Sequence, residues 1–127
     1  MIAHTGLPVS NYQKAKALYV KMLKPLGYKL NMEYGEAGGF MEGGSTSFWI
    51  GQSKKVISLH VAFQAKNKKA VDTFYKAALK AGAKGNGKPG YRTAYWPGYY
   101  AAFVHDADGH NVEAVFYDYT KVKKRKK

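Results

Sequence analysis

Two histidines and one glutamate interrupt apolar segments of this chain, where a titratable side chain needs a partner. His4 lies in the segment IAHTGLPV, His60 in VISLHVAF and Glu113 in NVEAVFY. Two imidazoles and a carboxylate suit a divalent first-row metal such as iron, manganese, zinc or nickel, with positions left open for a substrate. A lone histidine in such a segment is more often a hydrogen-bonded core residue, and no local motif joins the three positions to decide between the two interpretations.

The alternation of side chains along a strand gives these three residues a common setting. In VISLHVAF the bulky side chains at alternate positions from Ile57 to Phe63 form one face, which we expect to lie under a helix, and His60 lies on the smaller, opposite face. His4 and Glu113 likewise fall on the less apolar face of their segments. All three are therefore predicted to lie in the middle of strands and to face a cavity.

The elements that would position these residues occur twice along the chain. A shift of 56 positions places His4 on His60 and the helix N-cap Asn11 on Asn67 without a gap. The further identities in the same register are Tyr19 with Tyr75, Leu23 with Leu79 and Lys24 with Lys80. An internal repeat predicts two copies of one structural unit, here strand, helix and three strands. The predicted fold is α+β, with two tandem βαβββ modules (residues 1–52 and 55–118, approximately) that share a curved sheet with the helices outside.

Length and composition set the broad class of the protein. The 127 residues are 46% hydrophobic, which predicts one globular domain over residues 1–120. The chain has no cysteine, so disulfides, thiolate metal sites and cysteine nucleophiles are excluded. Because we find neither an apolar run of membrane-spanning length nor a signal peptide, we expect a cytoplasmic protein that does not associate with membranes.

The net charge of +13 is concentrated at the C-terminus, where KVKKRKK (residues 121–127) holds six of the 21 basic residues. A basic terminal block predicts a solvated, disordered tail. It could bind nucleic acid weakly, or serve as a nuclear signal in a eukaryote. The rest of the chain contains no recognisable RNA-binding motif, zinc finger or helix-turn-helix, so nucleic acid is not the expected partner.

Two glycine-containing motifs are interpreted structurally. GNGKPG (residues 85–90) matches the spacing of a dinucleotide-binding loop but follows a predicted helix, so we interpret it as a flexible loop before a strand YRTAYW. DADGHN lacks the glutamate of a calcium loop, since its twelfth position is Tyr117, and is predicted to be a hairpin turn with Gly109 in an unusual conformation. His105 and His110 flank this turn and are predicted to be surface residues.

The order of elements and the stretch YYAAFVHDADGHNVEAVFY resemble the vicinal oxygen chelate superfamily, which includes glyoxalase I, extradiol dioxygenases and bleomycin resistance proteins. The resemblance extends from residue 2 to about residue 118. It implies that the two modules form a half-barrel with a metal in its cleft, held by His4, His60 and Glu113. Glyoxalase I adds a glutamate from the fourth strand, but STSFWIGQ has no carboxylate there, and Ser47, Trp49 or Gln52 would stand nearest.

The resemblance implies one divalent metal ion that binds adjacent oxygens of a small substrate, in a lyase, isomerase or dioxygenase reaction. Glu113 and Tyr95 are the predicted catalytic residues, and Trp49, Arg92, Tyr95 and Tyr100 are predicted to contact substrate, although ordinary aromatic packing explains the aromatic members equally well. The alternative is a metal-independent binding protein of the bleomycin-resistance type. Related proteins often dimerise, so a homodimer is compatible with the resemblance.

Overall fold

The computed structural model describes residues 1–122, which form two units of the same element order. The first unit contains β1 (Thr5–Val9), α1 (Tyr12–Leu23), β2 (Lys29–Tyr34), β3 (Ala37–Glu42) and β4 (Ser45–Gln52). The second contains β5 (His60–Gln64), α2 (Lys68–Lys80), β6 (Lys84–Tyr91), β7 (Tyr99–His105) and β8 (Asn111–Tyr117). Short 3-10 helices span Lys24–Leu26 and Tyr119–Lys121. The remainder of the predicted disordered tail, residues 123–127, lies outside the described residues.

Each unit builds one four-stranded mixed sheet. The strand orders are β1-β4-β3-β2 and β5-β8-β7-β6, with the first strand of each unit parallel to the last. The predicted α+β fold of two βαβββ units is therefore confirmed. In both sheets the strand associated with a histidine, β1 or β5, is an edge strand. Neither described helix has the length and apolar composition needed to cross a bilayer.

Both helices begin at the asparagine that the repeat identifies. The side-chain oxygen of Asn11 accepts a hydrogen bond from the backbone N–H of Lys14 at 3.1 Å, and that of Asn67 accepts one from Ala70 at 2.8 Å. These bonds satisfy N–H groups that have no partner within the helix, which confirms the predicted N-caps.

A single core joins the helices to one face of each sheet. Phe48 on β4 and Phe63 on β5 meet edge to face at 4.9 Å between ring centroids, which links the two units. Val112 and Ala114 of β8 are fully buried on the core side. Because side chains alternate, Glu113 between them points to the opposite face of the second sheet.

The two histidines lie at the starts of their strands, not in the middle as predicted. β1 begins at Thr5, just after His4, and β5 begins at His60. In VISLHVAF the pairing with β8 begins only at Leu59, whose carbonyl accepts the N–H of Asn111 at 2.8 Å. No earlier residue of this segment pairs with β8. Ile57 and Leu59 are therefore exposed (77% and 45%) and do not lie under a helix, although Phe63 is buried as predicted.

GNGKPG is predicted to be a loop and YRTAYW a strand, but the structure shows the reverse. GNGKPG is part of the edge strand β6, whose pairing with β7 shifts register at Gly87, and YRTAYW leaves that strand after Tyr91 to form a turn closed by hydrogen bonds to the carbonyl of Arg92. An edge strand tolerates proline and bulges. A Cβ atom at Gly85 would lie 2.5 Å from the Tyr75 hydroxyl, so a larger residue there would require that side chain to move.

Candidate active site on the open face of the second sheet

His60 and Glu113 meet on the open face of the second sheet. His60 Nε2 lies 2.8 Å from Glu113 Oε1, although the two residues are 53 positions apart. The parallel pairing of β5 with β8 places Ala62 beside Glu113 and sets His60 diagonally across from it. The glutamate side chain is 2% exposed whereas the imidazole is 54% exposed. The pair thus consists of a buried carboxylate and a half-exposed imidazole.

Tyr99 provides the second partner of the buried carboxylate. Its hydroxyl donates a short hydrogen bond to Glu113 Oε2. Burial and this bond raise the pKa of Tyr99 well above its usual value, so the phenol stays protonated at neutral pH. Sequence reasoning missed Tyr99 because its orientation depends on the register of β7 with β8. That register pairs Phe103 with Glu113 and Tyr99 with Tyr117, which places all four on one face.

His4 is separate from this pair within one chain. It is exposed, and it precedes the edge strand of the first sheet. Among the described residues, ligand atoms of His4, His60 and Glu113 do not all lie within 4.8 Å of one another. A single chain therefore brings together two of the three predicted ligands.

Two of the predicted substrate contacts have other structural partners. Tyr100 points to the helix side of its sheet, where its hydroxyl donates to Asp72 at 2.6 Å; burial and this bond raise the pKa of Tyr100 to about 12. The guanidinium of Arg92 donates to the carbonyls of Gly90 at 2.9 Å and Lys88 at 2.7 Å. These bonds hold the start of the turn that follows β6.

The predicted contacts Trp49 and Tyr95 lie in different units, Trp49 on β4 of the first sheet and Tyr95 in the turn between β6 and β7. Trp49 stacks on Tyr34 in the first sheet, with 6.1 Å between ring centroids, and its ring covers Gly39. Tyr95 lies in the turn that begins at Arg92 and is 66% exposed. It packs edge to face on Tyr99, with 5.2 Å between ring centroids. Tyr95 is therefore next to the Glu113 site through Tyr99, and Trp49 is not part of that cluster.

A shallow aromatic depression that is largely open to solvent, with a volume of about 500 Å³, adjoins Tyr99. We call it the aromatic box; its lining residues are Tyr95, Trp96, Tyr99, Tyr117 and Tyr119. Gly98 makes the box possible, because a Cβ atom there would overlap the carbonyl oxygen of Asp118. The turn that carries Trp96 is thereby held against the end of β8.

A family comparison agrees with this architecture. The family model described as the Glyoxalase/Bleomycin resistance protein/Dioxygenase superfamily matches residues 1–114. The chain belongs to this superfamily. The predicted resemblance is confirmed, and superfamily membership makes the metal and binding interpretations of the His60–Glu113 pair the relevant ones to test.

Solved structures share the fold of this superfamily member at low sequence identity. A glyoxalase/bleomycin resistance protein from Albidiferax ferrireducens T118 superposes with a TM-score of 0.80 at 20% identity, covering 90% of this chain and 97% of that one. TioX from Micromonospora sp. ML1 has a TM-score of 0.71 at 14% identity, with 93% and 99% covered. A glyoxalase/bleomycin resistance protein/dioxygenase family enzyme from Burkholderia phytofirmans PsJN has a TM-score of 0.71 at 14% identity, with 92% and 98% covered. No curated protein shows significant similarity to the chain.

A second group of potential metal ligands lies in the hairpin turn between β7 and β8. Ligand atoms of Asp106, Asp108 and His110 lie within 4.8 Å of one another. His110 is fully buried, which corrects the prediction of a surface residue, while His105 is half-buried. Gly109 has φ +78°, as the predicted hairpin turn requires.

Hydrogen bonds within the protein already occupy this second group. His110 Nδ1 accepts the N–H of Leu59 at 2.9 Å, and its Nε2 donates to the carbonyl of Pro8 at 2.6 Å. Asp106 accepts the N–H of His110 and the hydroxyl of Tyr19. Because both imidazole nitrogens have partners, a metal would have to displace one of these contacts; the turn joins the second unit to β1 and α1.

Proposed function

We propose that this superfamily member is a metal-dependent enzyme that binds a small substrate at His60 and Glu113. The observation that carries the proposal is the 2.8 Å approach of the imidazole to a carboxylate that is almost fully buried. A buried carboxylate needs a positive partner. A nitrogen and an oxygen donor that already converge fit two positions of a divalent metal such as iron, manganese, zinc or nickel.

The residues around this pair have separate proposed roles. The hydroxyl of Tyr99 bonds Oε2 of Glu113 and holds the carboxylate in place, so Oε1 keeps a fixed direction toward His60. The imidazole of His60 stands at the accessible side, where a substrate would arrive. When bound, a divalent metal supplies Lewis-acid stabilisation of an anion on adjacent substrate oxygens. Tyr95, which packs on Tyr99, is the proposed proton donor or acceptor at the rim.

His4 completes the proposed ligand set from a second copy of the chain. It is exposed beside the edge strand β1, and His60 opens the edge strand β5 of the other sheet. A homodimer that brings β1 of one copy against β5 of the other would place the three ligands together. This arrangement accounts for a single chain that supplies only two converging ligands.

Metal analysis tests the enzyme proposal. We expect purified protein, stripped with a chelator and reloaded, to take up about one divalent metal per chain, and His60→Ala and Glu113→Gln to lose that uptake. His105→Ala is the matched control, because His105 lies at the end of β7 opposite to Tyr99. No uptake of iron, manganese, zinc or nickel by the wild-type protein would refute the proposal.

A mixing experiment tests the shared site. His4→Ala and Glu113→Gln proteins, unfolded together and refolded in equal amounts, should form mixed dimers in which one of the two sites is intact. Random association makes half of the dimers mixed, so roughly a quarter of all sites should bind metal if the site is shared. Uptake that stays at the level of the separate variants would show that no site is shared between copies.

The second candidate function is small-molecule binding without metal. The aromatic box favours it, since all of its lining side chains are aromatic. Ligand binding that is unchanged by a chelator and by Glu113→Gln would support this candidate over the enzyme.

A further inference from the structure

The lining of the aromatic box restricts what can bind there. Its five side chains carry no amide or charged group. The polar atoms that it offers are phenol hydroxyls and one indole N–H, and the hydroxyl of Tyr99 is already used by Glu113. A ligand group that requires several directional hydrogen bonds is therefore poorly matched. The box suits a group that is recognised by the faces of the rings.

The rings of the aromatic box stand at steep angles to one another. Trp96 meets Tyr117 at 80° and Tyr119 at 77°, while Tyr99 meets Tyr95 at 88° and Tyr117 at 79°. Neighbouring walls thus stand nearly at right angles. A compact, rounded group can contact several such walls at once.

The electrostatics of the box favour a cation. The face of an aromatic ring is the negative end of its quadrupole, and it attracts cations within about 6 Å of the centroid. The hydroxyl of Tyr99 donates a hydrogen bond to the carboxylate of Glu113, and this polarisation increases the electron density of its ring. A quaternary ammonium group carries a positive charge and no N–H donor, so it satisfies the electrostatics without requiring a hydrogen-bond acceptor.

We infer that the aromatic box binds a quaternary ammonium group of a small ligand. The inference rests on the proposal that the open face of the second sheet receives a small molecule, and it names the chemical class of that molecule. Trp96 and Tyr119 provide the outer walls, and Tyr99 and Tyr117 provide the floor near Glu113.

The test compares choline with its neutral carbon isostere, 3,3-dimethyl-1-butanol, in NMR titrations of the full-length, chelator-treated protein. Ring currents should move the choline methyl resonance upfield, and choline should bind about tenfold more tightly than the neutral isostere. Trp96→Leu should weaken choline binding by about 3- to 30-fold. Trp49→Leu is the matched control, since Trp49 is the other tryptophan of the chain and lies on the first sheet.

Equal affinity for choline and the isostere would overturn the inference, because the box would then select only apolar shape. Choline binding that Trp96→Leu leaves unchanged would also overturn it. If Trp96→Leu does not fold, Tyr119→Ala serves in its place, because Tyr119 is 73% exposed at the rim. Metal uptake without choline selectivity rejects the quaternary ammonium assignment alone, and choline selectivity without metal uptake rejects the metal enzyme alone.

Discussion

Replacement of His110 by alanine should destabilise the protein substantially, although His110 is not part of the proposed active site. The side chain is fully buried and bonds two backbone groups that are distant in sequence, the N–H of Leu59 and the carbonyl of Pro8. Alanine would remove both bonds and leave a cavity where the ring was. The perturbation therefore acts on the junction between the two units.

The magnitude follows from the surroundings of the two backbone groups. A buried polar group left without a partner costs about 1–3 kcal/mol. Leu59 is 45% exposed, so water can replace part of its lost bond, and the lower end of that range applies to it. With the carbonyl of Pro8 and the lost packing of the ring added, we expect the free energy of unfolding to fall by about 2–4 kcal/mol.

Urea unfolding followed by circular dichroism measures this change. For a small protein with a urea dependence of about 1–3 kcal/mol per M, the loss corresponds to a midpoint lower by about 0.7–4 M. His105→Ala is the control, because His105 flanks the same turn but is only half-buried. A His110→Ala midpoint within experimental error of the His105→Ala midpoint would refute the junction role that we assign to His110.

Three other predictions test the packing around the site. Gly98→Ala should destabilise the protein and abolish ligand binding in the aromatic box, because the new Cβ atom would overlap the carbonyl of Asp118; unchanged ligand titrations would contradict this. Phe63→Ala should lower the free energy of unfolding by about 3–5 kcal/mol in urea titrations, since its buried ring contacts Phe48 across the two units. Tyr19→Phe should reduce the loss of folding stability that occurs above about pH 10. Burial and the nearby Asp106 raise the pKa of Tyr19 above its unfolded value of about 10. The contribution of Tyr19 to the free energy of unfolding is therefore complete below about pH 10 and declines as the pH rises further. Urea midpoints that fall equally steeply with pH in wild type and Tyr19→Phe would contradict that assignment.

Local patterns in the sequence were sufficient for both helices, for most of the strands and for the superfamily, but not for β6. The N-caps Asn11 and Asn67 act on N–H groups three residues away, and Gly109 supplies its turn conformation without distant partners. Such features depend on residues that are neighbours in the chain. The pairing of β5 with β8 then brought His60 to Glu113, which the alternation of side chains had already placed on corresponding faces.

The sequence by itself thus determined the two βαβββ units, their helix starts and the strand faces of His60 and Glu113, because these follow from the periodicity of side chains and from short-range hydrogen bonds. Only the tertiary structure decided that Tyr99 contacts Glu113, that His110 is buried, and that GNGKPG forms an edge strand. Each of these depends on cross-strand register or on a backbone partner far away in the chain. A single residue of register would turn Tyr99 to the helix side, and no local pattern specifies that register.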